Sequence, residues 1–306
     1  MKNIFLLICV LFFGACSGVV HEPKVINTTA LTKQNQAYTG LKRKVAIARF
    51  GTESKYGTSD LFGVSYDISK QATDIFATKL TESDKFVMLE RSDLKLVLKE
   101  QEYQGITPKK VGADYLIVGS ITEFGRKELS DVGFFSRTKY QVAYASVSIR
   151  IVDTKSGHII YATQGSGEAR SEAGKQFGVG THAGYDATLN DKAISAAMDN
   201  FINKVMDNLM DKPWKSYVLG TSGSNLIIGG GKFQNISVGD KFGIYKNGEI
   251  FTNPQTGIDI ELPGEQIAQI EIVSQFGNTY TDEGSIAKII SGSLKGVKLN
   301  EIYVAQ

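Results

Sequence analysis

Gly112-Ala113-Asp114-Tyr115-Leu116-Ile117-Val118-Gly119-Ser120-Ile121-Thr122 is the stretch whose reading decides the fold. Its apolar, β-branched centre predicts a strand over Asp114–Ser120, bounded by glycine and a charged residue. Upstream, Lys44–Phe50 and Phe86–Glu90 predict two further strands. Between them Ile68, Ala72, Ile75, Phe76 and Leu80 fall on one helical face. A second helix is expected to begin at Ser92 and to carry Leu94, Val97, Leu98 and Gln101. Downstream, Val142–Asp153 and His158–Gln164 predict two strands joined by the turn Thr154-Lys155-Ser156-Gly157. One long helix should follow, with Leu189, Ala193, Ala197, Phe201, Val205 and Leu209 at four-residue steps and Pro213 blocking its continuation. The sum is an α/β domain, a mixed sheet with helices in two or three layers, over residues 43–212.

Beyond Trp214 the helical period stops. Short β-rich runs, Tyr217–Gly220, Leu226–Ile228, Lys241–Tyr245, Glu265–Val273, Ser285–Ile290 and Glu301–Val304, alternate with turn signals. Those signals include Gly229-Gly230-Gly231, Asn247-Gly248 and Asn253-Pro254-Gln255-Thr256-Gly257. Such spacing predicts a small all-β, barrel-like domain over 213–306.

The first residues have a different purpose. Lys2, the apolar run Ile4–Phe13, and Gly14-Ala15 directly before Cys16 have the layout of a cleavable secretory signal over residues 1–15. The run is about half the roughly 20 apolar residues that a spanning helix needs. A small-small-Cys junction resembles a bacterial lipobox, which implies lipidation at Cys16; an ordinary signal peptide containing a cysteine is the alternative. Only two cysteines exist, and Cys9 lies inside the removed segment, so Cys16 has no disulfide partner in the mature chain. Ser17 in place of an acidic residue resembles the pattern sorted to the outer membrane of Gram-negative bacteria. Residues 16–42, polar and aperiodic, read as a flexible tether.

Charge excludes some functions. With 34 basic and 32 acidic residues, the chain shows no signature of nucleic-acid binding. His21, His158 and His182 are scattered, no thiol remains as a nucleophile, and paired carboxylates are not evident. Gly229-Gly230-Gly231-Lys232 fails as a phosphate loop because Phe233 stands where Ser or Thr should hold magnesium, and a hairpin turn explains it better. No enzyme activity, cofactor or metal is expected. Glu90-Arg91 reads as a structural pair, or more sharply as a subunit contact.

Four stretches, Phe86–Leu94 followed by Glu100-Gln101, Gly112–Thr122, Val147–Thr154 leading to Ser156-Gly157, and Ala193-Ile194, together resemble the CsgG family over about 43–210. The resemblance implies an outer-membrane lipoprotein facing the periplasm that self-associates into a ring and supports curli-type assembly or transport. In that family two inserted hairpins close a transmembrane barrel. Between Gly125 and Tyr140 a two-strand lipid-crossing hairpin is not expected to fit, and Glu168–Thr188 is expected to be a loop or soluble hairpin. The channel constriction would correspond to Gly51–Tyr66, where Tyr56, Phe62 and Tyr66 read as ordinary loop aromatics. Gly239–Phe242 paired with Asn253–Gly257 is similar to the C-terminal β-domain of FlgT. Partners implied are the membrane through the Cys16 lipid, further copies of the chain, and an envelope protein or secreted cargo. The alternatives are an adaptor of the FlgT or LpoB kind, serving a flagellar motor or cell-wall synthase, and a true secretion pore.

Overall fold

The computed structural model describes residues 38–52, 67–107, 111–132, 137–172, 188–255, 257 and 259–306. Residues 38–306 form one compact unit. Within it lie two separate apolar cores, one under an open sheet and one inside a closed barrel.

The open sheet is built on β1 (Arg43–Ile47), β2 (Gly51–Thr52), β3 (Phe86–Leu89), β4 (Tyr115–Val132), β5 (Arg137–Asp153) and β6 (Ile159–Glu172). Its order is β3-β1-β4-β5-β6, with β2 beside β4. β1 is parallel to β3 and β4, and the rest is an antiparallel meander, so the sheet is mixed as expected. Helices α1 (Ile68–Glu82), α3 (Thr188–Asp199) and α4 (Ile202–Met210) bury their apolar residues in the core formed with this sheet. On β5 the alternation is visible residue by residue: Ala143, Ala145, Val147, Ile149 and Ile151 enter this core, while Arg150 between them is exposed. A register shift between Ile121 and Glu123 returns Phe124 to the buried face, since one extra residue inverts the pleat.

The quoted stretch is explained by its contacts. Asp114 accepts a hydrogen bond from the Lys44 amide at 3.0 Å and fixes the register of β1 against β4. Gly119 leaves room for the Phe50 ring, since a Cβ there would lie 2.5 Å from it. Phe50 in turn touches Phe76, which touches Phe201, at centroid distances of 5.7 and 6.2 Å.

Several expectations need correction. The long helix is two: α3 ends at Asp199 and α4 begins at Ile202, although all six residues of the four-step series are buried. Steps of four overshoot the 3.6-residue turn, so the stripe drifts round a straight helix. The break re-aims it, and the Asn200 amide donates to the Ser166 carbonyl at 2.6 Å instead of facing water. The strands also exceed their predicted lengths. Where no hairpin was expected to fit, β4 continues to Val132 and β5 starts at Arg137, paired through Val132↔Arg137. The flanking strands simply run on, so the insertion did not have to supply both strands by itself. Likewise residues 168–172, expected in a loop, belong to β6 and pair with β5 up to Tyr140↔Glu172. Residues 173–187, 53–66 and His21 lie outside the described residues.

The barrel comprises β7 (Lys215–Ser222), β8 (Asn225–Gly229), β9 (Lys241–Lys246), β12 (Glu265–Phe276), β13 (Gly284–Gly292) and β14 (Ile302–Ala305), closed in the order β12-β13-β8-β7-β14-β9. These six match the six predicted runs. Two short strands not foreseen, β10 (Ile250–Thr252) and β11 (Asp259–Glu261), form a separate ribbon around the Asn253–Gly257 turn. Trp214 and Phe242 meet at 5.2 Å in the barrel core. The Trp214 indole donates to Gln234 Oε1, whose Nε2 donates to buried Glu283 at 2.9 Å, so each buried polar group has a partner. Gly229-Gly230-Gly231 does not turn a hairpin. It leads from β8 into a 3-10 turn, Lys232–Gln234, because β8 pairs with β7 and β13 and never with β9. The end of the expected tether is also structured: Leu41 belongs to the barrel core, and the Lys42 amide bonds the Gln234 carbonyl at 3.1 Å.

Candidate functional site

The residues that carry the family resemblance converge at the carboxyl ends of β1 and β3. Glu90 accepts from the Asp93 amide at 2.9 Å and sets the start of helix α2 (Leu94–Tyr103). Its neighbour Arg91 donates to the Glu90 and Val111 carbonyls, pinning the segment that leads into β4. Arg49 bridges Asp67 at 3.5 Å and Asp93 at 3.3 Å, the residues that precede α1 and α2. A shallow crevice of about 540 Å³ lies there, lined by Ala46, Ala48, Arg49, Arg91, Ser92 and Leu116 among others. The helix expected from Ser92 therefore starts after Asp93.

Electrostatics around the turn after β5 are tight. Asp153 loses something to burial, yet hydrogen bonds from the Ser156 amide and hydroxyl and the Lys155 amide hold its carboxyl below the ordinary value. The Tyr115 hydroxyl is pushed up to about 12, by burial first and then by the charges of Asp153 and Asp114. Lys155 opposes its own burial through a hydrogen bond and charge interaction with Tyr217 of β7, and its pKa is raised. These groups are committed to the fold and to each other.

The arrangement offers surfaces more than reactive groups. Among the described residues no set of three or more His, Cys, Asp or Glu is placed to hold a metal, and no helix is long and apolar enough to cross a membrane. At Phe233 the backbone amide that a phosphate would want already binds Glu283 Oε2 at 2.8 Å. His158 lies exposed at the turn before β6, and His21, His182, Cys16 and the aromatics Tyr56, Phe62 and Tyr66 lie outside the described residues. Glu90 and Arg91 meet within the chain. What sequence reasoning missed is α2 itself: none of its residues is buried, and Leu96, Val97 and Tyr103 face outward. The signal was present in Leu96 and Tyr103, which fall off the expected apolar face.

The profile of the family described as curli production assembly/transport component CsgG matches residues 27–236. The chain belongs to the CsgG family. The match begins within the stretch read as a tether and extends past residue 213 into the first barrel strands, wider than the motifs alone. NMB1126/NMB1164 of Neisseria meningitidis serogroup B, provisionally named a lipoprotein, is 31% identical over 185 residues, covering 59% of this chain and 82% of that protein. Among solved structures, lipoprotein GNA1162 from Neisseria meningitidis is 14% identical with a TM-score of 0.29, covering 54% of this chain and 99% of its own. The PelC dodecamer from Paraburkholderia phytofirmans is 12% identical with a TM-score of 0.25, covering 51% and 86%. For this CsgG-family chain, the motif residues Glu90, Arg91, Asp114 and Gly119 thus have structural work: they fix strand register, helix starts and the seat of Phe50.

Proposed function

We propose that this CsgG-family chain is a non-enzymatic lipoprotein, anchored through Cys16 in the outer membrane and facing the periplasm, which self-associates and supports assembly or export there. The family match over residues 27–236 carries this reading. It is supported by the signal layout ending in Cys16, and by a relative provisionally named a lipoprotein. Lipid would fix the height of the body above the membrane, at about 0.8 kcal/mol per buried methylene. Identical bodies held in one plane present the same patches to each other and can close by symmetry. A division of labour between an α/β part over 43–212 and a barrel part over 213–306 is part of the proposal.

The test is incorporation of labelled palmitate, followed by mass measurement in detergent. Label is expected in the wild type and lost in Cys16→Ser, which should leave the membrane fraction. A mass of several subunits is expected. An unlabelled wild type would remove the anchor, and a monomer would favour the adaptor reading, in which the barrel engages another envelope protein.

A further inference from the structure

Two apolar faces are left open, and their charges are opposite. The β10–β11 ribbon has no hydrogen-bonded place in the barrel and is held by only three register pairs, Ile250↔Glu261, Phe251↔Ile260 and Thr252↔Asp259. A two-stranded ribbon of this size is marginal in water. This one nevertheless leaves Ile250, Phe251 and Ile260 exposed by 65%, 53% and 52%. The charged side chains between Asn247 and Gln266 are all acidic: Glu249, Asp259, Glu261 and Glu265.

Helix α2 is the converse. Helices α1, α3 and α4 each bury a face, whereas α2 buries none of its residues. Leu96, Lys99 and Tyr103 follow one another at three- and four-residue steps, so they share a face. Lys99 sits 5.6 Å from the Tyr103 ring, and Lys95 lies one turn before it. The acidic residues Glu100 and Glu102 fall in the second half of the helix, which leaves its first half basic as well as apolar.

We infer that the acidic ribbon of one copy docks on the basic first half of α2 in the next copy, burying Phe251 and Ile260 against Leu96 and Val97. Rim charges of opposite sign set the register of such a contact and speed its formation. The two faces are different surfaces of the chain, so the contact is head-to-tail: it repeats in one direction and either closes a ring or continues. The inference rests on the self-association proposed above and assigns part of that association to the C-terminal strands.

The experiment uses full-length acylated protein in detergent, with native mass measured over a concentration series. K95E/K99E and E249K/E261K should each weaken association by about tenfold. Both pairs combined in one chain should restore it, because the attraction is re-formed with signs exchanged. Unchanged far-ultraviolet dichroism and Trp214 fluorescence establish that each variant is folded, as expected for exposed side chains. A wild-type assembly indifferent to either reversal, or a combined variant that stays dissociated, overturns the docking contact while leaving self-association standing. A wild-type monomer at every concentration overturns self-association itself.

Discussion

In the open sheet the hydrogen-bonded order stops at β3 on one side and β6 on the other, whereas in the barrel β12 pairs with both β13 and β9 and the ladder has no end. A free edge is a template for another strand, and closure removes it. The open sheet blunts its long edge with charge: Glu168 and Arg170 alternate along β6. The barrel needs no such device and offers contact only through what projects from it, the β10–β11 ribbon. The two regions also fill their cores differently. Barrel side chains pack against one another across the interior, while the open sheet depends on helices laid against it. Contacts between a helix and β6 should therefore be the sensitive point of the first region, and the polar chain Trp214–Gln234–Glu283 that of the second.

The largest effect should come from Phe76→Ala, which empties a fully buried site between Phe50 and Phe201. A loss of about 3–5 kcal/mol is expected in urea unfolding followed by far-ultraviolet dichroism. The chain's one tryptophan, Trp214, is in the barrel core, so its fluorescence reads that core separately. Should the fluorescence transition move as far as the dichroism, the contrast between the regions breaks and the two cores unfold together.

Gly167→Ala comes next. A Cβ there would meet the Ala197 nitrogen at 2.2 Å and the Ala193 carbonyl at 2.6 Å, so α3 must retreat from β6. About 1–3 kcal/mol should be lost, again by dichroism in urea. An unchanged midpoint would mean that helix and edge strand are not closely held.

The smallest expected effect sharpens the junction. Asp153→Asn weakens the charge-assisted bonds to the Ser156 and Lys155 amides and should cost about 1–2 kcal/mol at neutral pH. Because the folded carboxyl titrates below its ordinary value, its contribution is present above the unfolded pKa and fades as pH falls through the folded one. Wild type and variant should therefore converge in acid, and a gap that persists below the folded pKa would assign the effect to packing. The turn it holds places Lys155 5.2 Å from the Tyr217 ring of the barrel, so the same variant checks whether that contact couples the regions.

Much of the fold was legible because burial leaves a period. Alternation located five strands of the open sheet and six of the barrel, and the four-step series from Leu189 to Leu209 named residues that are all buried. Lengths were not legible: β4 and β5 reach 18 and 17 residues because pairing with each other sustains them through polar stretches such as Arg126-Lys127-Glu128. The ribbon was hidden for a related reason, since three residues on each side of a turn are too few to set up a pattern. Its turn, Asn253–Gly257, was the readable part.

Composition and pattern alone determined the export signal's layout, the lone Cys16, the mixed α/β part followed by a β-rich part, and the family motifs. Those depend on local chemistry and on which residues avoid water. Tertiary structure alone decided that the β-rich strands close on themselves, that α3 and α4 separate at Asn200, and that α2 remains uncovered. Each of these turns on which distant backbone or side chain arrives as a neighbour, a choice made by the packed chain as a whole and not by any segment's own periodicity.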